Sequence, residues 1–188
     1  MTDPLQHALH TAATSGSFLR NLAVFCGTAL LFVQVAGFTA LAVRHRNRLD
    51  WRLAARILVS GVVALVVTQV LVRVVIDPRP YMVEHYTPLA HVSADNGFPS
   101  DHTLVAALLT GWAAWRFRRA WMAFAAGVLL IALGRLGIGA HHTLDVLGSV
   151  LIALVSLGAA HLWPYPTAWA NRPILPGLRP TPHSSTRK

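Results

Sequence analysis

The sequence is short of charge. Only 12% of its 188 residues are Asp, Glu, Lys or Arg, against about 25% in a soluble domain. Apolar residues make up 54%, so the balance argues against a water-soluble globule and points to lipid as the solvent. Acidic residues are scarcest: 7 face 16 basic ones, for a net charge of +9. Lysine is nearly missing, since Lys188 is the one non-arginine among those basic residues. A basic excess can mark nucleic-acid binding. Here the arginines fall in clumps between apolar runs and form no basic face, so no nucleic-acid partner is expected. The single cysteine, Cys26, rules out an intramolecular disulfide. A basic start followed directly by a short apolar core is also missing. Residues Met1 to Phe18 are polar and rich in small residues, so no cleavable signal peptide is expected.

What the chain has instead is long apolar runs. A spanning helix needs about 20 mostly apolar residues. Five candidates run from Leu22 to Val43, Leu53 to Ile76, His102 to Trp115, Ala120 to Leu136 and Leu144 to Trp163. The expected fold is an all-α membrane bundle with five spans, or six if the N-terminal segment inserts. Basic residues cluster in the first connection (Arg44, Arg46, Arg48, Arg52), the third (Arg116, Arg118, Arg119) and the tail (Arg172, Arg179, Arg187, Lys188). Five spans place all three clusters on one side, which the positive-inside rule makes cytoplasmic. Residues 1–163 then form the membrane domain and 164–188 a basic, Pro-rich cytoplasmic tail. Gln34, Gln69 and His161 fall within spans, where helix–helix hydrogen bonding is their expected use. Trp112, Trp115, Trp121 and Trp163 fit an interfacial belt.

The outward connections hold the reactive side chains. The second opens with Arg73 and Asp77-Pro78-Arg79-Pro80 and closes with Phe98-Pro99-Ser100-Asp101-His102. The fourth holds Arg135, His141, His142 and Asp145. Ionisable residues at membrane depth are costly and default to a functional reading. Arginine forks pair with two phosphate oxygens at once, so Arg73, Arg79 and Arg135 suit a phosphate cradle. Ser100 and the amides that follow it lie at a predicted helix start, which favours anions. His141 and Asp145 are four apart, which puts them on one helix face. Asp145 then takes the Nδ1 proton and frees Nε2 to attack phosphorus, while His102 protonates the leaving oxygen. Each residue also has a plainer use. Arg79 and Arg73 suit interface anchors, Ser100 a helix cap, His141 and Asp145 a capping pair, and Asp101 a structural carboxylate.

Taken together these residues resemble the type-2 phosphatidic acid phosphatase superfamily, whose motifs read Lys-x6-Arg-Pro, Pro-Ser-Gly-His and Ser-Arg-x5-His-x3-Asp. Arg79-Pro80 matches the end of the first motif, Pro99-Ser100 and His102 the second, and Arg135, His141 and Asp145 the third. The match covers residues 73–145 and selects His141 over His142. The resemblance implies a helical bundle that needs no metal or other cofactor, acting on a lipid phosphate or diphosphate among membrane lipids. Three positions depart from it. Val72 stands at the motif lysine with Arg73 one residue later, Asp101 replaces a glycine, and Gly134 replaces a serine. The Phe-Pro-Ser-Asp-His form is similar to the bacterial undecaprenyl-diphosphate phosphatase branch. That implies the inner membrane, with the site facing the periplasm. Phosphatidic acid and phosphatidylglycerol phosphate are alternative substrates. A non-catalytic lipid-phosphate binder or transporter is the alternative of another class. The sequence fixes no oligomeric state.

Overall fold

The computed structural model describes residues 3–174. Among them α1 spans Pro4–Thr14 and α2 spans Ser17–Val24. A π-helical turn, Phe25–Ala29, carries α2 without a break into α3, Leu30–Arg44. Next come α4 (Trp51–Leu71), the single turn α5 (Pro80–Val83), α6 (Asp101–Arg116), α7 (Trp121–Gly137), α8 (Thr143–Leu162) and the single turn α9 (Thr167–Ala170). No strand is formed among the described residues, and the one bridge pairs Asp50 with Pro173.

The α2–α3 rod, α4 and α8 are long and apolar enough to cross a membrane, and α7 adds a shorter apolar helix of 17 residues. The protein is a multi-pass membrane bundle. Its apolar side chains turn outward: Leu58, Leu65, Leu151 and Leu154 are exposed, as befits a lipid-facing surface. Small and polar residues turn inward, and α8 buries Ser149, Ala153, Ser156 and Ala160. Such residues let membrane helices approach closely. Helix α6 is shorter, with 16 residues and a length of about 24 Å. It packs on α3, α4, α7 and α8, so protein rather than lipid covers its flanks.

The predicted second span overruns the observed helix. Helix α4 stops at Leu71, because Asn96 Nδ2 donates to the Val72 and Val75 carbonyls at 3.3 and 2.7 Å and ends the helical ladder there. Gln34 bridges helices as expected, donating to Phe124 O at 2.9 Å, whereas Gln69 and His161 are exposed. Trp112 turns into the bundle rather than joining a belt, with Nε1 donating to Ser60 Oγ at 2.9 Å.

The two ends of the bundle differ in charge. At one end Arg116 lies 3.6 Å from Asp50, and Trp51 N donates to Arg172 O at 3.2 Å. The first connection, the third and residues 164–174 therefore gather together, as an odd number of spans requires. Residues 175–188 of the predicted tail lie outside the described residues.

Helix α1 forms no sixth span. Its 11 residues reach about 16 Å, half of a hydrocarbon core of about 30 Å. It lies instead across the end of α7 and the start of α8. Asp3 caps α1 through Gln6 N and also accepts from the Thr143 backbone N–H and from Thr143 Oγ1. Gln6, fully buried, donates to Tyr86 Oη at 2.9 Å, and the His10 ring stacks on Tyr86 at 4.1 Å. Asp3→Ala removes both the cap and the tie to α8. We expect it to cost about 1–3 kcal/mol, read as a lower midpoint in detergent thermal unfolding. An unchanged midpoint would contradict this role for α1.

Candidate active site

The chain between α7 and α8 turns sharply. Gly139 takes φ +80, and a Cβ there would collide with the Tyr86 ring. His142 is the N-cap of α8, and its backbone N–H is taken by Asp145 Oδ2 at 2.8 Å. His141 therefore precedes the helix rather than riding on it. The four-residue spacing to Asp145 works through the cap, not through a shared helix face.

This alters what holds the imidazole. His141 Nδ1 lies 2.8 Å from the Gly97 carbonyl and 3.4 Å from Asp145 Oδ2. A carbonyl only accepts, so the proton sits on Nδ1 and Nε2 carries the lone pair. Gly97 O is thus the closer partner and Asp145 supports from beside it. The backbone around Gly97 decides this, because Gly97 N is itself held by Asp77 O at 2.7 Å.

The lone pair faces two arginines. Arg135 Nη2 is 3.1 Å from Nε2 and Arg79 Nη1 is 3.4 Å away. Both guanidiniums are buried and fixed by backbone carbonyls. Arg135 Nη1 donates to Gly27 O at 3.1 Å and Arg79 Nη1 to Ala140 O at 2.9 Å. Burial first, and then Arg135 and Arg79, push the His141 pKa down to about 3. The imidazole is neutral across the physiological range, the form in which Nε2 carries a lone pair.

Ser100 is fully buried at the start of α6, its Oγ 3.1 Å from Thr103 Oγ1. His102 follows in the first turn, half-buried, with the Arg135 guanidinium and the His141 imidazole as neighbours. Asp101 is exposed in that turn, where a carboxylate complements the helix dipole. Arg79, Ser100, His102, Arg135, His141 and Asp145 thus come from two loops and three helix ends to one end of the bundle. Arg73 does not join them. It stands exposed on the turn after α4 with no hydrogen bond to the cluster.

Sequence reasoning missed Asp95. Its Oδ1 accepts from Arg79 Nε at 3.1 Å, from Arg79 Nη2 and from Ser93 Oγ at 2.8 Å. The Arg79 hydrogen bond, then that of Ser93, holds the Asp95 carboxyl below the usual range. Asp95-Asn96-Gly97 reads as a turn, and no spacing in it announces an arginine partner. Among the described residues no group of His, Cys, Asp and Glu side chains is arranged to hold a metal ion.

The PAP2 superfamily model matches residues 52–169. The chain belongs to the PAP2 superfamily. The "Undecaprenyl-diphosphatase BcrC" of Bacillus subtilis (strain 168) is 31% identical over 97 residues, 52% of this chain and 50% of the relative. The chain thus spans about half the length of that curated relative. No solved structure matches it.

The superfamily match begins in α4, yet α1 and the α2–α3 rod also build the site. They explain the glycine that replaces the serine of the third motif. A Cβ on Gly134 would sit 2.4 Å from Gly27 N and 2.7 Å from Cys26 C. Backbone meets backbone there, and that contact brings Gly27 O to Arg135. Restoring the motif residue, Gly134→Ser, is therefore expected to harm this chain. Forcing the helices apart costs about 1–3 kcal/mol and moves Arg135. Thermal unfolding and phosphate release should both fall; a variant as stable and active as the parent would refute the contact.

Proposed function

We propose that the chain is a membrane lipid phosphatase that hydrolyses undecaprenyl diphosphate to undecaprenyl phosphate and inorganic phosphate. One observation carries this reading: a neutral imidazole lone pair, its tautomer fixed by Gly97, faces two buried guanidiniums. Simple anion binding needs the cations but no oriented nucleophile.

His141 Nε2 attacks the terminal phosphorus, forming the N–P bond as the bridging P–O bond breaks. Arg79 and Arg135 hold the non-bridging oxygens, whose charge is spread in the transition state. Ser100 and the free first-turn amides of α6 add donors to that seat. His102 gives its proton to the leaving oxygen. Water then attacks the phosphohistidine, with His102 now taking a proton, and inorganic phosphate leaves. Asp145 supports the imidazolium character that develops on His141. The arginine-rich end lies opposite the site, and the positive-inside rule supports a site on the outer side of a bacterial inner membrane. The match to the Bacillus relative supports undecaprenyl diphosphate over other lipid phosphates.

The test is phosphate release by purified protein in detergent with EDTA present. Undecaprenyl diphosphate, phosphatidic acid and phosphatidylglycerol phosphate are compared at equal surface concentration. We expect the diphosphate to give the highest kcat/KM, and a phosphohistidine to be trapped by acid-free quench. Faster turnover of a phospholipid would move the substrate. Failure on all three would return the chain to the binder class.

A further inference from the structure

The Asp145 carboxylate is fully buried, yet one of its oxygens lacks a partner. Oδ2 accepts from His142 N and lies beside His141 Nδ1. Oδ1 is buried with no hydrogen bond. An unmet buried acceptor costs on the order of 1–3 kcal/mol, and more when charged.

The side chain that meets Asp145 is a second carboxyl, Asp77. Its position is fixed by the backbone. Asp77 N donates to Asn96 Oδ1 at 2.9 Å, and Asp77 O accepts from Gly97 N at 2.7 Å. A Cβ on Gly97 would touch Asp77 O at 3.0 Å and Asp145 Oδ2 at 3.1 Å, so these groups close around the segment that holds His141. Two ionised carboxylates in this contact repel. A single proton between them removes the repulsion and supplies the missing donor.

We propose that Asp77 is a positioning residue that, while protonated, donates a hydrogen bond to Asp145, locking the carboxylate that supports His141. This inference rests on His141 being the nucleophile. The surroundings agree. His142 Nε2 lies 3.9 Å from Asp77 Oδ1, and its Nδ1 lies 3.8 Å from Asp3 of α1. Arg79, two residues on, is turned to Asp95 and His141 and leaves Asp77 without a cation at contact. Burial, then the hydrogen bond and charge of Asp145, push Asp77 up from 3.8 to about 6. A carboxyl raised in the folded state contributes stability that is complete below 3.8. That contribution is lost as pH rises through about 6.

The test uses Asp77→Asn, which keeps a donor that never titrates, and Asp77→Ala, which has none. Wild-type kcat is expected to fall as pH rises through about 6. Asp77→Asn should lose the part of that fall that Asp77 causes and keep only the part set by the His102 acid. Asp77→Ala should drop kcat about tenfold, one lost hydrogen bond's worth, with KM little changed. In the wild type, a protonated-carboxyl infrared band should be present near pH 5 and gone by about pH 7.5, and missing from Asp77→Asn at both. The proposal is overturned if Asp77→Ala keeps the parental kcat, if the pH profile of Asp77→Asn is the same as the parent's, or if the band is unchanged in Asp77→Asn. The infrared result needs no substrate. Failure of every lipid phosphate to turn over would sink the proposed function while the band still decided Asp77.

Discussion

His141→Ala should lower kcat for phosphate release by about a thousandfold or more, because it removes the atom we propose bonds to phosphorus. The cavity left behind is polar and lies at the bundle end, so the fold should survive. His141→Gln is the matched control: it keeps a polar side chain but no imidazole. Neither variant should form a phosphohistidine. Retention of more than about a tenth of wild-type kcat in both would move the nucleophile elsewhere. The pH dependence is a second reading of the same site. A histidine at its ordinary value loses its lone pair below about 6.5. His141 is pushed down to about 3, so in the free enzyme it keeps its lone pair as pH falls from 6.5 toward 3. The acid limb of kcat/KM should therefore lie well below 6.5.

Arg135→Lys should lower kcat about a hundredfold, although charge is conserved. A guanidinium reaches Gly27 O with one nitrogen and His141 Nε2 with another. An ammonium is a single point and cannot hold both. The loss combines a displaced transition-state donor, worth about a hundredfold or more by itself, with a less constrained imidazole. Guanidinium added in solution to Arg135→Ala offers a rescue test. Partial recovery of kcat supports a role at phosphate. A lysine variant within threefold of the parent would show that Arg135 only braces α7 against the α2–α3 rod.

Much of this was legible from local signals. Each apolar run became a helix near its predicted place, because a backbone in lipid must satisfy its own hydrogen bonds. The arginine clumps revealed the odd number of spans, because charge stays out of the hydrocarbon core. Arg79, Ser100, His102, Arg135, His141 and Asp145 were found by type and spacing. Other features depended on contacts between distant segments. Arg73 met the requirement of charge, yet the break in α4 at Leu71 leaves it outside the cluster. The partner of His141 Nδ1 is a glycine carbonyl 44 positions away, and backbone atoms have no signature in sequence. In sequence Gly134 is only a departure from the motif serine; its reason, the Gly27 backbone against it, exists only in the packed helices.

Legible in the sequence alone are a helical membrane protein, an odd number of spans and a set of ionisable side chains suited to phosphate at one end. Those properties follow from composition and from residues a few positions apart. Helix packing settles which nitrogen of His141 is free, how Asp95 joins Arg79, and why α1 and the α2–α3 rod matter to the site. These depend on hydrogen bonds of about 3 Å between segments far apart in the chain. Such distances exist only once the helices have packed.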